Sequence, residues 1–240
     1  MTKTKIEWCD YTINPVKGLC PAGCEYCYAR RMYQRFGWNP EIREAPYWVD
    51  EIPKRGGHRI FMGSTMELFG PWVKEFWLNA ILYHCGKHRE HTFLFLTKRP
   101  WNLVKWSPFP ENCWVGVTAT DTLRFADAHN WLHKVDAKVK FISVEPLRDW
   151  DGGIFDAIKF ALSDRPVDWI IIGQQTPVRK ATMPKVEWIR EIVHAADQAG
   201  VPVFLKDNLR PLLWAPLTGQ AALDTGLLNW AGELRQEFPE

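Results

Sequence analysis

Cys20, Cys24 and Cys27 lie on one short stretch, Gly18-Leu19-Cys20-Pro21-Ala22-Gly23-Cys24-Glu25-Tyr26-Cys27-Tyr28. Three thiolates at C-x3-C-x2-C spacing, on a stretch broken by Pro and Gly, can wrap one face of a [4Fe–4S] cube and ligate three of its irons. The fourth iron is then left without a protein ligand. An open coordination position is what a catalytic metal keeps and a structural one fills. Zinc is the competing reading. It wants a fourth Cys or His, commonly from a second C-x2-C unit, and the chain has no such unit. Cys9, Cys85 and Cys113 stay available as a fourth ligand for zinc or a closed electron-transfer cluster, although Cys85 and Cys113 fall in other structural units.

Other groupings are weaker. His84, Cys85, His88 and His91 lie near one helix exit and read more simply as a solvated helix end than as a metal site. His129 and His133 are four apart, but Asn130 stands where a zinc protease needs Glu. Lys54-Arg55-Gly56-Gly57-His58-Arg59 lacks the Lys-Ser/Thr ending of a P-loop and reads as a basic loop.

The elements that must position the cysteines show in the hydrophobic pattern. Six runs are nearly continuous in apolar residues: Arg59–Thr65, Thr92–Lys98, Cys113–Thr120, Val139–Glu145, Asp168–Gln174 and Val201–Lys206. Such runs suit parallel strands covered on both faces. Helical patterns fall between them. Pro71–His84 places Trp72, Phe76, Trp77, Ala80 and Ile81 on one stripe. Pro184–Ala199 repeats the pattern with Val186, Ile189, Ile192, Val193 and Ala196, and Gly200 follows as a C-cap. Weaker helical patterns cover Asp121–Val135 and Gly153–Leu162. A short strand near Tyr11–Pro15 and a helix from Glu25 to Phe36 complete a βα series of about seven units. The expected fold is α/β, an open doubly wound sheet or a partial or full TIM-like barrel with helices outside. Residues 1–240 read as a single domain, with 207–240 as an irregular C-terminal extension.

The chain has 240 residues, 46% hydrophobic and 24% charged, enough to bury a sizeable core. A net charge of +2 is too near neutral to carry the electrostatic footprint of a nucleic-acid or membrane partner. The first residues lack an apolar signal-peptide core, and no run of about 18 apolar residues occurs. The expected compartment is a reducing cytoplasm, where clustered cysteines read as metal-binding or catalytic rather than as a disulfide framework.

Polar residues close the six strand-like runs: Ser64, Thr65 and Glu67; Thr97, Lys98 and Arg99; Thr118, Thr120 and Asp121; Ser143 and Glu145; Gln174 and Gln175; Lys206 and Asp207. Ligands of α/β folds sit at that end of the sheet. Lys98, Arg99 and Lys206 would favour an anionic substrate group, with Gln174 and Gln175 as neutral hydrogen-bonding neighbours. Salt bridges from these cations to Glu145 or Asp207 are the alternative.

The C-x3-C-x2-C stretch with Tyr26 before its last Cys resembles the signature of radical S-adenosylmethionine enzymes. More closely, the chain is similar to the phage-associated three-Cys-motif proteins. The likeness runs in order through Ile6-Glu7-Trp8, Asn14-Pro15-Val16, the cysteine stretch, Gly63-Ser64 to Leu68-Phe69, and Leu96 to Pro100. It continues through Val115-Gly116-Val117, Ser143 to Leu147, Trp169 to Gly173, and Lys206. Where that family tends to read Gly-Gly-Glu-Ser, this chain has Gly173-Gln174-Gln175-Thr176, losing one acidic charge.

The resemblance implies a partial (βα)6 or fuller barrel with the cluster loop after its first strand. It implies a [4Fe–4S] cluster on Cys20, Cys24 and Cys27. That cluster reductively cleaves S-adenosylmethionine to a 5′-deoxyadenosyl radical, which abstracts hydrogen from a substrate the resemblance leaves unknown. Tyr26 would contact adenine, largely through backbone. Gly63, Ser64, Thr65 and Glu67 would meet the methionine amino group, and Thr118, Thr120 and Glu145 the ribose or substrate. Capping of the following helices is the plain alternative for each polar residue. A low-potential electron donor such as flavodoxin or ferredoxin is also implied. The competing function is a binding protein with a structural iron–sulfur or zinc site. Its partner would be nucleic acid, contacted by Trp-rich loops beside Arg30-Arg31 and Lys54-Arg55.

Overall fold

The computed structural model describes residues 2–151, 167–214, 226–229 and 232–240. The pattern over Gly153–Leu162 lies outside these residues. The chain divides into two compact units, Met1–Gly116 with Val135–Lys138, and Val117–Lys134 with Val139–Glu240.

In the first unit, β1 (Thr2–Lys3) pairs antiparallel with β2 (Tyr11–Ile13). β2 runs parallel to β5 (Arg59–Met62), and β5 runs parallel to β6 (Thr92–Thr97). Between β2 and β5 come a small antiparallel ribbon, β3 (Val16–Lys17) with β4 (Arg43–Glu44), and the helix α1 (Tyr28–Phe36). α2 (Glu75–Lys87) joins β5 to β6. The strand β7 (Cys113–Ala119) ends this unit and opens the next.

The second unit contains α3 (Thr122–Leu132), β8 (Lys140–Val144), β9 (Trp169–Ile172), α4 (Val186–Ala199), β10 (Val203–Leu205) and α5 (Arg210–Trp214). β8, β9 and β10 are successive parallel neighbours. The sheet order is β1-β2-β5-β6-β7-β8-β9-β10. Seven of these strands are parallel and form a curled half-barrel with helices around it, as the alternating pattern leads one to expect.

The strands are buried as parallel strands should be. Ile60, Phe61 and Met62 of β5, Phe93, Leu94 and Phe95 of β6, and all of Trp169–Ile172 are core residues. In β7 the two faces are chemically distinct. The buried Cys113 thiol interacts with that of Cys85 on α2, so residues 113, 115, 117 and 119 face the helices. Residues 114, 116, 118 and 120 take the opposite face, because side chains alternate along a strand.

α2 differs from the stripe read in the sequence. The helix begins at Glu75, and its buried side chains are Trp77, Leu78, Ile81, Leu82 and Cys85. Phe76, expected in the core, is 62% exposed. Residues 71–74 form turns that precede the helix, and this rotates its inward face past Phe76. α4 matches its pattern, and Gly200 caps it in the left-handed conformation with its N–H donating to Ala196 and Asp197.

The C-terminal segment returns to the sheet. Gln236 bridges antiparallel to Phe204, the Leu205 N–H donates to the Arg235 carbonyl at 2.7 Å, and the Glu237 N–H donates to the Val203 carbonyl at 3.1 Å. Trp169 Nε1 donates to the Glu237 carbonyl at 2.8 Å, and Phe238 packs 5.3 Å from both Trp169 and Phe204. The backbone groups that β10 would leave unpaired at the sheet edge are thereby satisfied.

Candidate metal centre and ligand-binding strand ends

The three cysteines sit between β3 and α1. Cys27 is the N-cap of α1: its Sγ accepts from the Arg30 N–H at 3.4 Å. This is why the helix starts at Tyr28 and not at Glu25. The Arg30 guanidinium donates to the Cys20 carbonyl at 3.0 Å, the Cys27 N–H to the Cys24 carbonyl at 3.1 Å, and the Gly18 N–H to Tyr33 Oη at 2.8 Å. Helix and loop therefore hold each other. Cys20, Cys24 and Cys27 are all free thiols and partly exposed. Burial pushes the Cys20 thiol up, opposed by the Ala22 and Glu67 N–H groups and reinforced by the nearby Glu67 and Cys27.

Around this loop the first unit gathers the ends of β2, β5 and β6. Asn14, which follows β2, accepts at Oδ1 from the Thr65 N–H and the Thr65 hydroxyl, both at 2.9 Å, and its Nδ2 donates to Ser64 Oγ at 3.2 Å. Tyr28 Oη donates to the Ser64 carbonyl at 2.8 Å, linking α1 to the same turn. Gly63 opens that turn at φ +76°, and its N–H donates to the Ile13 carbonyl at 2.8 Å. A Cβ there would stand 2.6 Å from Leu68 Cγ, so both the conformation and the space call for glycine.

Glu67 is buried, 7% exposed, and is already engaged. Its Oε1 accepts from Thr97 Oγ1 at 2.7 Å and from the Phe69 N–H at 3.2 Å, and its Oε2 accepts from the Lys98 N–H at 2.8 Å. Thr97 Oγ1 in turn accepts from the Arg99 N–H at 2.9 Å. The side chains of Lys98 and Arg99 then part. Lys98 Nζ lies 6.0 Å from the Tyr26 ring centre, whereas the Arg99 guanidinium lies 4.9 Å over Trp72 and 5.9 Å from Trp101.

The second unit has its own group of strand ends. Lys206 Nζ donates to Glu145 Oε1 at 2.5 Å. This is the partner foreseen as an alternative to a substrate anion. Gly173 lies between them in register: a Cβ there would stand 2.9 Å from Lys206 Cδ and 3.2 Å from Glu145 Cγ and Cδ. Gln174 and Asn208 bond reciprocally: the Gln174 N–H donates to Asn208 Oδ1 at 3.2 Å, and Asn208 Nδ2 to the Gln174 carbonyl at 2.8 Å. Gln174 is buried and Gln175 half-buried. Thr120 Oγ1 donates to Asp121 Oδ2 at 3.0 Å, and Asp121 caps α3 by accepting from the Arg124 N–H at 2.9 Å. Thr118 Oγ1 and Ser143 Oγ are buried and have no hydrogen-bond partner. A hydroxyl left this way costs about 1–3 kcal/mol unless water or a ligand satisfies it.

The remaining candidates fall away. His91, expected on a solvated helix end, is 1% exposed. Its Nδ1 accepts from the His58 N–H at 3.2 Å and its Nε2 donates to the Pro53 carbonyl at 2.7 Å, so both ring nitrogens are committed to backbone. Cys85 and Cys113 are fully buried, and their thiols interact with each other. Among the described residues no three His, Cys, Asp or Glu side chains are arranged to hold a single metal ion. Three soft sulfur donors on one loop are the donor set that suits an iron–sulfur cluster.

Asn14 and Tyr28 brace the candidate site and were given no role by motif reading, while Arg30, read only as a nucleic-acid contact, bonds to the Cys20 carbonyl. The signal for Asn14 was its place at the end of the first parallel strand. For Tyr28 and Arg30 only the helix start at Cys27 reveals it.

Residues 3–210 match the sequence model of a family described as "Protein of unknown function (DUF5131)". No curated protein matches. Among solved structures, the fold is similar to spore photoproduct lyase complexed with dinucleoside spore photoproduct. The TM-score is 0.62 at 14% identity, over 85% of this chain and 79% of that one. A mutant of that lyase with bound AdoMet and dinucleoside spore photoproduct gives a TM-score of 0.55 at 16% identity, over 82% of this chain and 63% of that one. At these identities the likeness is one of fold.

Proposed function

We propose that this chain, which belongs to the family described as protein of unknown function (DUF5131), is a radical S-adenosylmethionine enzyme with a [4Fe–4S] cluster on Cys20, Cys24 and Cys27. One observation carries the reading: three part-exposed thiols share a loop fixed by the first turn of α1, whose Tyr28 bonds to the polar turn after β5. The fold around them is like that of a lyase whose structure holds AdoMet. When bound, the cluster and S-adenosylmethionine supply one-electron cleavage chemistry and hydrogen abstraction from a substrate.

The chain's own residues have separable tasks. Ala22 and Glu67 aim backbone N–H groups at Cys20 and stabilise its thiolate. Asn14 orients Ser64 and Thr65, so that the Gly63–Thr65 turn meets the amino end of S-adenosylmethionine in a fixed conformation. Tyr26 offers backbone to adenine. Glu67 holds the ends of β5 and β6 together and keeps lone-pair capacity for one more donor. Thr118, Thr120 and Glu145 serve ribose or substrate. The unsatisfied hydroxyl of Thr118 supports this for that residue. For substrate, Lys98 presents an exposed cation, Arg99 stands against its two indoles, and the Glu145–Lys206 pair offers an acceptor and a donor beside Gln174 and Gln175.

Membership of the phage-associated three-Cys-motif subfamily, one domain over residues 1–240, a low-potential reductant and a reducing cytoplasm belong to the same proposal. No disulfide joins any of the six cysteines, and no described helix is long and apolar enough to cross a membrane. The test is anaerobic reconstitution with iron and sulfide. A brown protein whose reduced paramagnetic spectrum changes on adding S-adenosylmethionine is expected. A colourless protein that takes up zinc with the same three cysteines would overturn the reading.

A further inference from the structure

β6 ends at Thr97, and from there to Pro110 the chain carries three cations and no acidic residue. Lys105 pairs with Glu75 at 2.5 Å, which ties the 3₁₀ turn Pro100–Trp106 to the start of α2. Arg99, half-buried, has no carboxylate partner among the described residues. Its guanidinium lies instead 4.9 Å over Trp72 and 5.9 Å from Trp101. Trp72 is itself fixed. Its Nε1 donates to the Glu67 carbonyl at 3.1 Å, and its ring lies so close over Gly70 that a Cβ there would stand 2.2 Å from it. The indole is therefore a rigid backing for Arg99, whose planar fork of donors suits a bidentate oxyanion such as phosphate.

The pattern repeats where α2 begins. Lys74 is exposed and lies 5.8 Å from the Phe76 ring centre and 5.0 Å from that of Trp77, again with no carboxylate partner among the described residues. The two carboxylates of this stretch are both engaged: Glu75 with Lys105, and the buried Glu67 with Thr97, Phe69 and Lys98. Beside the two cations stand two aromatic rings in water, Trp101, 47% exposed, and Phe76, which the start of α2 at Glu75 turns outward. All of these residues belong to the first unit.

We infer that the face formed by Arg99, Trp101, Lys74 and Phe76 binds an unpaired nucleic-acid strand, with bases stacked on the two exposed rings and phosphates on the two cations. As a substrate class the strand rests on the function proposed above; as a bound ligand it does not. Open aromatic faces interleaved with cations are what a single strand recognises, because every base offers a ring face and every linkage a charge. A duplex keeps its bases stacked inside and cannot use the rings. An acidic peptide would meet the cations but leave both rings in water. The face also starts at the strand ends, where ligands of such sheets sit: the Arg99 N–H donates to Thr97 Oγ1, which Glu67 holds in turn.

The experiment titrates the reconstituted protein into a fluorescein-labelled thymidine dodecamer and follows anisotropy over a range of salt. Wild type is compared with Arg99→Gln, Lys74→Gln, Trp101→Ala and Lys54→Gln, each checked for folding by circular dichroism. Wild type is expected to bind. Arg99→Gln and Lys74→Gln should each weaken binding about tenfold and reduce the slope of log K against log salt by about 0.7. Trp101→Ala should weaken it about tenfold with the slope unchanged. Lys54→Gln, on the separate basic loop, should bind as wild type does. The inference is overturned if wild type does not bind the strand, or if Arg99→Gln and Lys74→Gln keep the wild-type slope. It is equally overturned if duplex DNA of the same length binds as tightly, if oligoglutamate displaces the strand at equal concentration, or if Lys54→Gln weakens binding as much as Arg99→Gln. If no cluster loads, the reading of the cysteines fails, and the same titration on the protein as purified still decides whether the face binds the strand.

Discussion

Replacing Glu67 by Gln separates two roles that its position allows. The carboxylate accepts three hydrogen bonds from its own chain, from Thr97 Oγ1, the Phe69 N–H and the Lys98 N–H. A glutamine keeps one acceptor oxygen. With that oxygen at the Oε1 position it still serves Thr97 and Phe69, but its NH2 then faces the Lys98 N–H, donor against donor. A hydrogen bond to a charged group is lost, worth about 1.5–3 kcal/mol, and a part-buried backbone donor is left without its acceptor. The expected destabilisation is about 2–3 kcal/mol, or roughly a 4–12 °C fall in Tm for a chain of this size. Urea denaturation followed by far-UV circular dichroism measures it, with an unchanged slope as the sign that the unfolded state is not involved. A loss below about 0.5 kcal/mol would refute the clamp, since surface substitutions without such contacts fall in that range. If stability is retained while S-adenosylmethionine binding disappears, Glu67 is a ligand contact first and a clamp second.

Further outcomes are expected. Cys20→Ala, Cys24→Ala and Cys27→Ala should each abolish iron and sulfide uptake, whereas Cys85→Ala and Cys113→Ala, buried against each other, should load fully; iron analysis and the visible spectrum decide. Gly173→Ala places a Cβ 2.9 Å from Lys206 Cδ and should cost about 1–3 kcal/mol in urea midpoint by forcing the Glu145–Lys206 pair apart; wild-type stability would mean the pair yields freely. Stability should also fall in acid. Burial pushes the Glu237 and Asp121 carboxyls up, but for Glu237 the Arg235 guanidinium and the Val203 N–H outweigh it, and for Asp121 the Arg124 N–H and guanidinium with Thr120 do so, leaving both below the usual carboxylate range. Such groups contribute stability above their unfolded pKa, about 4, and lose it as pH falls through the lower folded values. Glu237→Gln should show a smaller decline than wild type between pH 5 and pH 3 in a series of urea midpoints, and an identical decline would count against the assignment.

The features legible from sequence are those set by residues close together along the chain. Apolar runs such as Thr92–Thr97 and Trp169–Ile172 announce doubly covered strands, the spacing of Ile189, Ile192, Val193 and Ala196 announces a helix face, and Gly200 announces its end. Three cysteines within eight positions likewise stand out before any fold is known. What only tertiary structure decided is which polar atoms meet. Glu67 finds Thr97 thirty residues away, Asn14 finds Ser64 at fifty, and Lys206 finds Glu145 at sixty-one. The return of Glu237 to Val203 closes an edge that the tail's composition does not advertise. Each of these pairings depends on two strand ends or segments being brought side by side by the packing of apolar residues elsewhere. A hydrogen bond is satisfied by whatever donor or acceptor that packing delivers, so local pattern encodes the strands and the cysteine loop, while the partners at their ends are settled by the assembled sheet.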